Sequence, residues 1–181
     1  EGAQGLWLPT SLKTLYLSAN GIGAGGVQGL RLPLNLQTLD LSLNPIGFVG
    51  ARALLTKTPN LQTLILQWIQ IGPSVVDLKL PSSLRSLDLV NNIIGPAGAK
   101  GLKLPASLQS LDLSGGEIRD EGASGLQLPV GLQILALRSN QIGNAGTQGL
   151  QLPTSLQTFD LSDNQVDTIG VRALVVKIGS T

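Results

Sequence analysis

The sequence predicts an α/β solenoid, a curved array with a parallel β-sheet on its concave face and short helices or turns on its convex face. Three observations point there. A leucine-bearing phrase recurs at near-constant spacing along the 181 residues. Hydrophobic residues make up 42% of the chain but aromatic ones only 3%, so the 37 leucines must fill the core. The 23 Gly and 10 Pro punctuate each period where the chain has to turn.

Each unit is introduced by Leu-x-Leu-Pro or a close equivalent, at residues 6–9, 30–33, 78–81, 102–105, 126–129 and 150–153. The phrase Leu-x-x-Leu-x-Leu-x-x-Asn-x-Ile follows, opening at Leu12, Leu36, Leu61, Leu84, Leu108, Leu132 and Leu156. Successive openings are separated by 24, 25, 23, 24, 24 and 24 residues. About seven 24-residue repeats, with one insertion and one compensating deletion, therefore form a single domain over 1–181.

The alternation Leu-x-Leu places two leucines of each unit on one side of a short strand and the residue between them on the other. Leu15, Leu39, Leu64, Leu87, Leu111, Leu135 and Phe159 make one interior column, and Leu17, Leu41, Leu66, Leu89, Leu113, Leu137 and Leu161 the next. After a turn, Ile22, Ile46, Ile71, Ile94, Ile118, Ile142 and Val166 make a third. No single unit buries these side chains alone, so stability accrues between neighbours. Asn20, Asn44, Asn92, Asn140 and Asn164 stand where an amide can pair with backbone groups of the bend after each strand. Ile69 and Gly116 interrupt that ladder, and local irregularity is expected at both.

The convex segment, Gly-x-x-Gly-Ala-x-Gly-Leu, is intact at 95–102 and recurs at 143–150 with Thr147 in place of Ala. Its small residues permit close packing of a short helix or turn, and Pro stops it before the next strand. Arg119 and Asp167 stand where the Gly after Ile belongs, and Val75-Val76 where Gly-Ala belongs, at the deletion.

The whole unit resembles the GALA-type leucine-rich repeat of bacterial proteins, a subclass close to the ribonuclease-inhibitor type, and the resemblance covers essentially the whole chain. Such proteins include effectors that Ralstonia and Legionella deliver into host cells. The resemblance implies protein recognition without chemistry, in the cytoplasm or in a host cytosol after secretion by a bacterium. An alternative it implies is the substrate-recognition arm of a ubiquitin-ligase adaptor whose F-box or catalytic segment lies outside this chain. Both ends stop inside the pattern, so the reading expects a fragment or processed form, with Trp7 either an end cap or covered by what precedes it.

Absences narrow the chemistry. Without Cys or His there is no Cys-His or Ser-His-Asp nucleophile, no haem ligation and no zinc site of the usual ligands. Twelve Lys and Arg against eleven Asp and Glu leave a net charge of +1, far from the basic footprint of a nucleic-acid binder. Every apolar run is broken well short of the roughly 20 residues of a spanning helix. The expectation is a non-enzymatic protein that needs no cofactor and binds neither membrane nor nucleic acid.

A folded partner is expected on the concave face, reached by the residues that flank the buried leucines. The central outward column reads Tyr16, Asp40, Ile65, Asp88, Asp112, Ala136, Asp160, and the next reads Ser18, Ser42, Gln67, Val90, Ser114, Arg138, Ser162. Asp and Ser are the internal defaults, and departures from them are informative. Repeat 3 departs most, with Ile65, Gln67, Trp68 and Ile69. With strands about 4.8 Å apart, Leu43, Ile65, Trp68 and Val90 are expected to form one apolar patch of the kind that anchors interfaces. The competing reading has Trp68 filling the gap left by the missing Asn. Asp40, Asp88, Asp112 and Asp160 form a discontinuous acidic stripe suited to steering a basic partner, or simply to keeping an open sheet soluble. Two carboxylates on a flat face are too few for a metal. Tyr16, Ile134 and Arg138 complete the candidate contacts.

Overall fold

The computed structural model describes residues 8–179. Trp7 lies outside them. Seven strands of three residues each form one open parallel sheet in chain order: β1 (Thr14–Tyr16), β2 (Thr38–Asp40), β3 (Thr63–Ile65), β4 (Ser86–Asp88), β5 (Ser110–Asp112), β6 (Ile134–Ala136) and β7 (Thr158–Asp160). Between and after them run α1 (Ala24–Gly29), α2 (Gly47–Leu55), a 3₁₀ helix (Gly72–Asp77), α3 (Gly95–Gly101), α4 (Arg119–Gly125), α5 (Asn144–Gly149) and α6 (Thr168–Gly179). Strands neighbour at about 4.8 Å and helices at about 8–10 Å, which puts the sheet on the inside of the curve.

The register repeats without slippage. Leu15 pairs with Leu39, Leu39 with Leu64, and so on to Leu135 with Phe159. Leu39, Leu64, Leu87, Leu111 and Leu135 are buried, as are Leu41, Leu66, Leu89, Leu113, Leu137 and the Ile column from Ile46 to Ile142. Burying each such side chain stabilises the fold by about 1.5–3 kcal/mol. At the ends of the stack, Leu15, Leu17, Ile22, Phe159 and Leu161 are only partly covered, because a repeat covers its neighbour and not itself.

Proline does more than stop the convex segment. The carbonyls of Pro9, Pro33, Pro81, Pro105, Pro129 and Pro153 accept the N–H of the opening Leu three residues on, at 3.0–3.1 Å, so each Pro begins the turn into the next strand. In repeat 3, Thr58 takes this role with a longer bond of 3.4 Å to Leu61. The insertion before it lengthens α2 to nine residues and brings the Lys57 ammonium onto the carbonyls of Val27, Gln28 and Leu30 at the end of α1.

The deletion is absorbed by winding. Repeat 3 replaces the α-turn with a 3₁₀ helix, which spends fewer residues per turn. The closing bond from Leu78 N–H to the Val75 carbonyl matches that from Leu102 to Ala99, so Val75 occupies the buried Ala position. This corrects the sequence alignment, which put Val75 at the Gly position. Elsewhere that Gly is required by contact: a Cβ on Gly122 would lie 3.0 Å from Pro96 Cα, and one on Gly98 3.3 Å from Pro73 Cα.

Candidate protein-recognition face

The bend after each strand determines which side chains reach solvent. Its first residue lies in the left-handed region in every repeat: Ala19, Leu43, Trp68, Asn91, Gly115, Ser139 and Asp163, with φ between 54° and 66°. The Asn ladder supports this bend from the following repeat. Asn92 Oδ1 accepts the N–H groups of Ile69 and Ile71 at 3.2 and 3.3 Å, and its Nδ2 donates to the carbonyls of Leu66, Leu89 and Val90. Asn44 and Asn164 repeat the pattern.

At Ile69 and Gly116 no amide is available, yet the expected irregularity does not spread to the chain path. Gly47 N–H still donates to the Ile69 carbonyl at 3.0 Å, and Gly95 N–H to the Gly116 carbonyl at 2.9 Å. Ile69 is itself fully buried and fills the vacant Asn position. Trp68 therefore does not fill it and stands 55% exposed.

The outward column is in register as expected: Tyr16, Asp40, Ile65, Asp88, Asp112, Ala136 and Asp160 are successive partners. Its aspartates have a local task. One oxygen of Asp40, Asp88, Asp112 and Asp160 accepts the N–H two residues on, at Ser42, Val90, Ser114 and Ser162, closing an Asx turn at the strand end. This explains Asp as the default, and it leaves the second oxygen of Asp40, Asp112 and Asp160 as the one suited to a partner. In repeat 3, Ile65 has no carboxylate to offer, and the Gln67 N–H turns to Ser42 Oγ instead, at 3.1 Å.

Gln67 also donates from Nε2 to the second oxygen of Asp88 at 2.6 Å. Burial holds the Asp88 carboxyl above the usual carboxylate value of 3.8, against the lowering effect of the Gln67 and Val90 hydrogen bonds, while the nearby charges of Asp112 and Asp40 raise it further. Asp160, on the last strand, is held below that value by the Ser162 hydroxyl and backbone N–H. Arg138 Nε and Nη2 both engage Asp163 Oδ2, at 2.8 and 2.7 Å, and both side chains remain more than half exposed. Among the described residues, no group of three or more His, Cys, Asp or Glu converges as a metal ligand set, and no helix is long and apolar enough to cross a membrane.

The apolar candidates separate into two places. Ile65 and Val90 are half-buried on the strand face, and Ile134 is exposed beside Ser110 and Thr158. Tyr16 stands exposed on the first strand. Leu43 and Trp68 belong instead to the bend, where Trp68 lines a groove of about 610 Å³ with Gln70, Gly72, Pro73, Asn91, Asn92, Ile93, Gly115 and Glu117. Ile65, Val90 and Leu43 are not among its lining residues. Ile93, 58% exposed, escaped the sequence reading. Its signal was legible: the residue between Asn and Ile is Gly21, Pro45, Gln70, Ile93, Glu117, Gln141 and Gln165, a column in which one bulky aliphatic residue departs from the rest.

A leucine-rich-repeat model matches residues 9–30, 33–55, 81–103, 105–126, 132–150 and 153–175. The chain belongs to the leucine-rich-repeat family. Membership accounts for the seven-strand parallel array and marks the chain as a protein-interaction module of a family that typically serves as a non-enzymatic scaffold. The matched leucine-rich repeats leave out 56–80, the stretch that carries Ile65, Gln67, Trp68, Ile69 and the 3₁₀ helix. No curated protein matches the chain.

Proposed function

We propose that this leucine-rich-repeat protein is a non-enzymatic recognition module that docks a folded protein on its strand face, through Tyr16, Asp40, Ile65, Gln67, Asp88, Val90, Asp112, Ile134, Arg138 and Asp160, with Leu43 and Trp68 at its edge. One observation carries this reading. The inward columns repeat Leu almost without change, whereas the outward column in the same strands changes from Tyr to Asp to Ile to Ala. Burial demands the first; the Asx turn accounts for Asp as the default of the second, but nothing internal demands its departures at Tyr16, Ile65 and Ala136, so side-chain variety is concentrated where a partner reads it. If the partner is an enzyme, the inner curve is shaped to cap its active site. The motif resemblance extends the proposal to a GALA-type bacterial effector acting in a host cytosol; the ubiquitin-ligase adaptor arm would use the same face.

The test is capture of binding proteins from host-cell extract by the wild-type chain and by Ile65→Asp and Asp112→Lys variants with unchanged circular dichroism. Selective loss of a captured protein in both variants supports the reading. Identical capture by all three chains overturns it.

A further inference from the structure

The groove at the bend lies between the two repeats that lack the ladder Asn, repeat 3 with Ile69 and repeat 5 with Gly116. Trp68 and Ile93, both more than half exposed, line it together with Pro73. Gly115 also lines it, at a position where Leu43, Trp68, Asn91, Ser139 and Asp163 all have a side chain. The Asn91 side chain leans over the space that a Gly115 Cβ would take.

The walls are held in costly conformations. Trp68 has φ 57° and Ile93 φ 47°, and a left-handed backbone costs an ordinary L-residue about 1–2 kcal/mol. Nothing in the core requires bulk at these places, since Ala19 serves in the Trp68 column at φ 57° and Gln70 and Gln141 in the Ile93 column. Large apolar side chains displayed to solvent from strained backbone positions are suited to contact. The groove's one charged lining residue is Glu117. Gln67, next to Trp68 in the chain, holds Asp88, whose carboxylate lies within electrostatic range of Asp112 and Asp40. The strand-face cation on this side, Arg138, is bound to Asp163; Lys13 and Arg85 stand at the strand entries, on the opposite edge, and Arg119 begins α4 beyond Glu117. The groove thus pairs two large apolar walls with one carboxylate.

We propose that this groove is a peptide-anchoring site that takes a bulky apolar side chain of the partner between Trp68 and Ile93 and the Arg or Lys close to it in sequence against Glu117. The proposal rests on the protein-recognition reading and names the chemistry of the segment recognised. In it the edge anchors a short segment while the strand face receives the rest of the partner.

The experiment selects a displayed library of random linear peptides on the wild-type chain, then measures the enriched peptides against variants that copy sister repeats. Those variants are Trp68→Ala, after Ala19; Ile93→Gln, after Gln70 and Gln141; and Glu117→Gln, after Gln141 and Gln165. Enrichment of an apolar residue followed by Arg or Lys is expected. Affinity should fall roughly tenfold in Trp68→Ala and in Ile93→Gln, and by a factor of about 2–5 in Glu117→Gln. Unaltered affinity in Trp68→Ala and Ile93→Gln, enrichment of acidic peptides, or no enrichment overturns the inference. Peptides lost on Ile65→Asp or Asp112→Lys but retained on the groove variants overturn the groove alone and leave the strand-face reading standing.

Discussion

Repeats 3 and 6 share a strand register and a left-handed bend, yet they back the bend of the repeat before them in opposite ways. In repeat 6, Asn140 is fully buried and spends its amide on Gly116, Ile118, Leu113 and Arg138. In repeat 3, Ile69 is equally buried and makes no polar bond with its side chain. The backbone bond is common to both, Arg119 N–H to the Asn140 carbonyl at 2.9 Å and Gly47 N–H to the Ile69 carbonyl at 3.0 Å. The bend is therefore held by the main chain of successive repeats, and the side chain behind it is required only to satisfy or exclude its surroundings. That latitude is what allows repeat 3 to depart from the pattern and display Trp68.

The sharpest break of this comparison is Asn140→Ala. It leaves the Gly116 and Ile118 N–H groups without their acceptor in a buried site and is expected to cost about 3 kcal/mol by urea denaturation. Ile69→Asn, which restores the ladder, is expected to change stability by less than about 1 kcal/mol, because the regained amide bonds offset the lost apolar burial. Equal losses in both would mean that the two bends are not held alike.

A second contrast concerns the convex side. Asp120 Oδ1 accepts the N–H groups of Gly143 and Gly146 at 2.6 and 2.9 Å, and Asn144 Oδ1 those of Asp167 and Gly170 at 3.1 Å each, so these repeats cap the helix of their successor. Repeats 3 and 4 have Pro73 and Pro96 near the helix start instead. Asp120→Ala is expected to cost about 1 kcal/mol and to speed amide exchange at Gly143 and Gly146. Unchanged exchange there would remove the cap from the account.

Within the outward column, the middle and the end of the array have opposite pH dependence. The folded state raises Asp88, so it binds more protons there than the unfolded chain between the ordinary carboxylate value and the raised one, and ionised Asp88 opposes folding at neutral pH. Asp88→Asn keeps an acceptor for Val90 and is expected to raise the urea midpoint at pH 7, the gain vanishing as both states protonate in acid. Asp160 is lowered, so its contribution is present above the ordinary value and is lost as pH falls through the folded one. Asp160→Asn should lower the midpoint slightly at pH 7 and leave it unchanged in acid. Shifts of the same sign in both variants would refute this difference. The smallest effect belongs to Arg138→Ala, which breaks an exposed ion pair and is expected to cost less than about 0.5 kcal/mol, diminishing with added salt.

The strands were the most legible part of the molecule. Leu-x-Leu flanked by Thr, Ser or Asp reads as one buried face and one exposed face, and each strand pairs with a near copy of itself at a known offset. The Asn ladder was legible as a position but not as a geometry, since its amides reach into the preceding repeat, 22–27 residues away in the chain. The deletion was visible as a shortened period, while its 3₁₀ solution and the placement of Val75 were not. Of the apolar candidates, Ile65 and Val90 went where alternation predicts; Leu43 and Trp68 lie past the strand, where the left-handed bend takes over and alternation no longer applies.

Periodic sequence alone established the architecture, the inward columns and the outward order from Tyr16 to Asp160, because a two-residue alternation repeated every 24 residues admits one register that turns the strand leucines inward. Tertiary structure decided which exposed side chains meet. The groove of Trp68, Ile93 and Glu117 gathers residues from three repeats, and bends and neighbouring turns bring them together, which local periodicity does not describe.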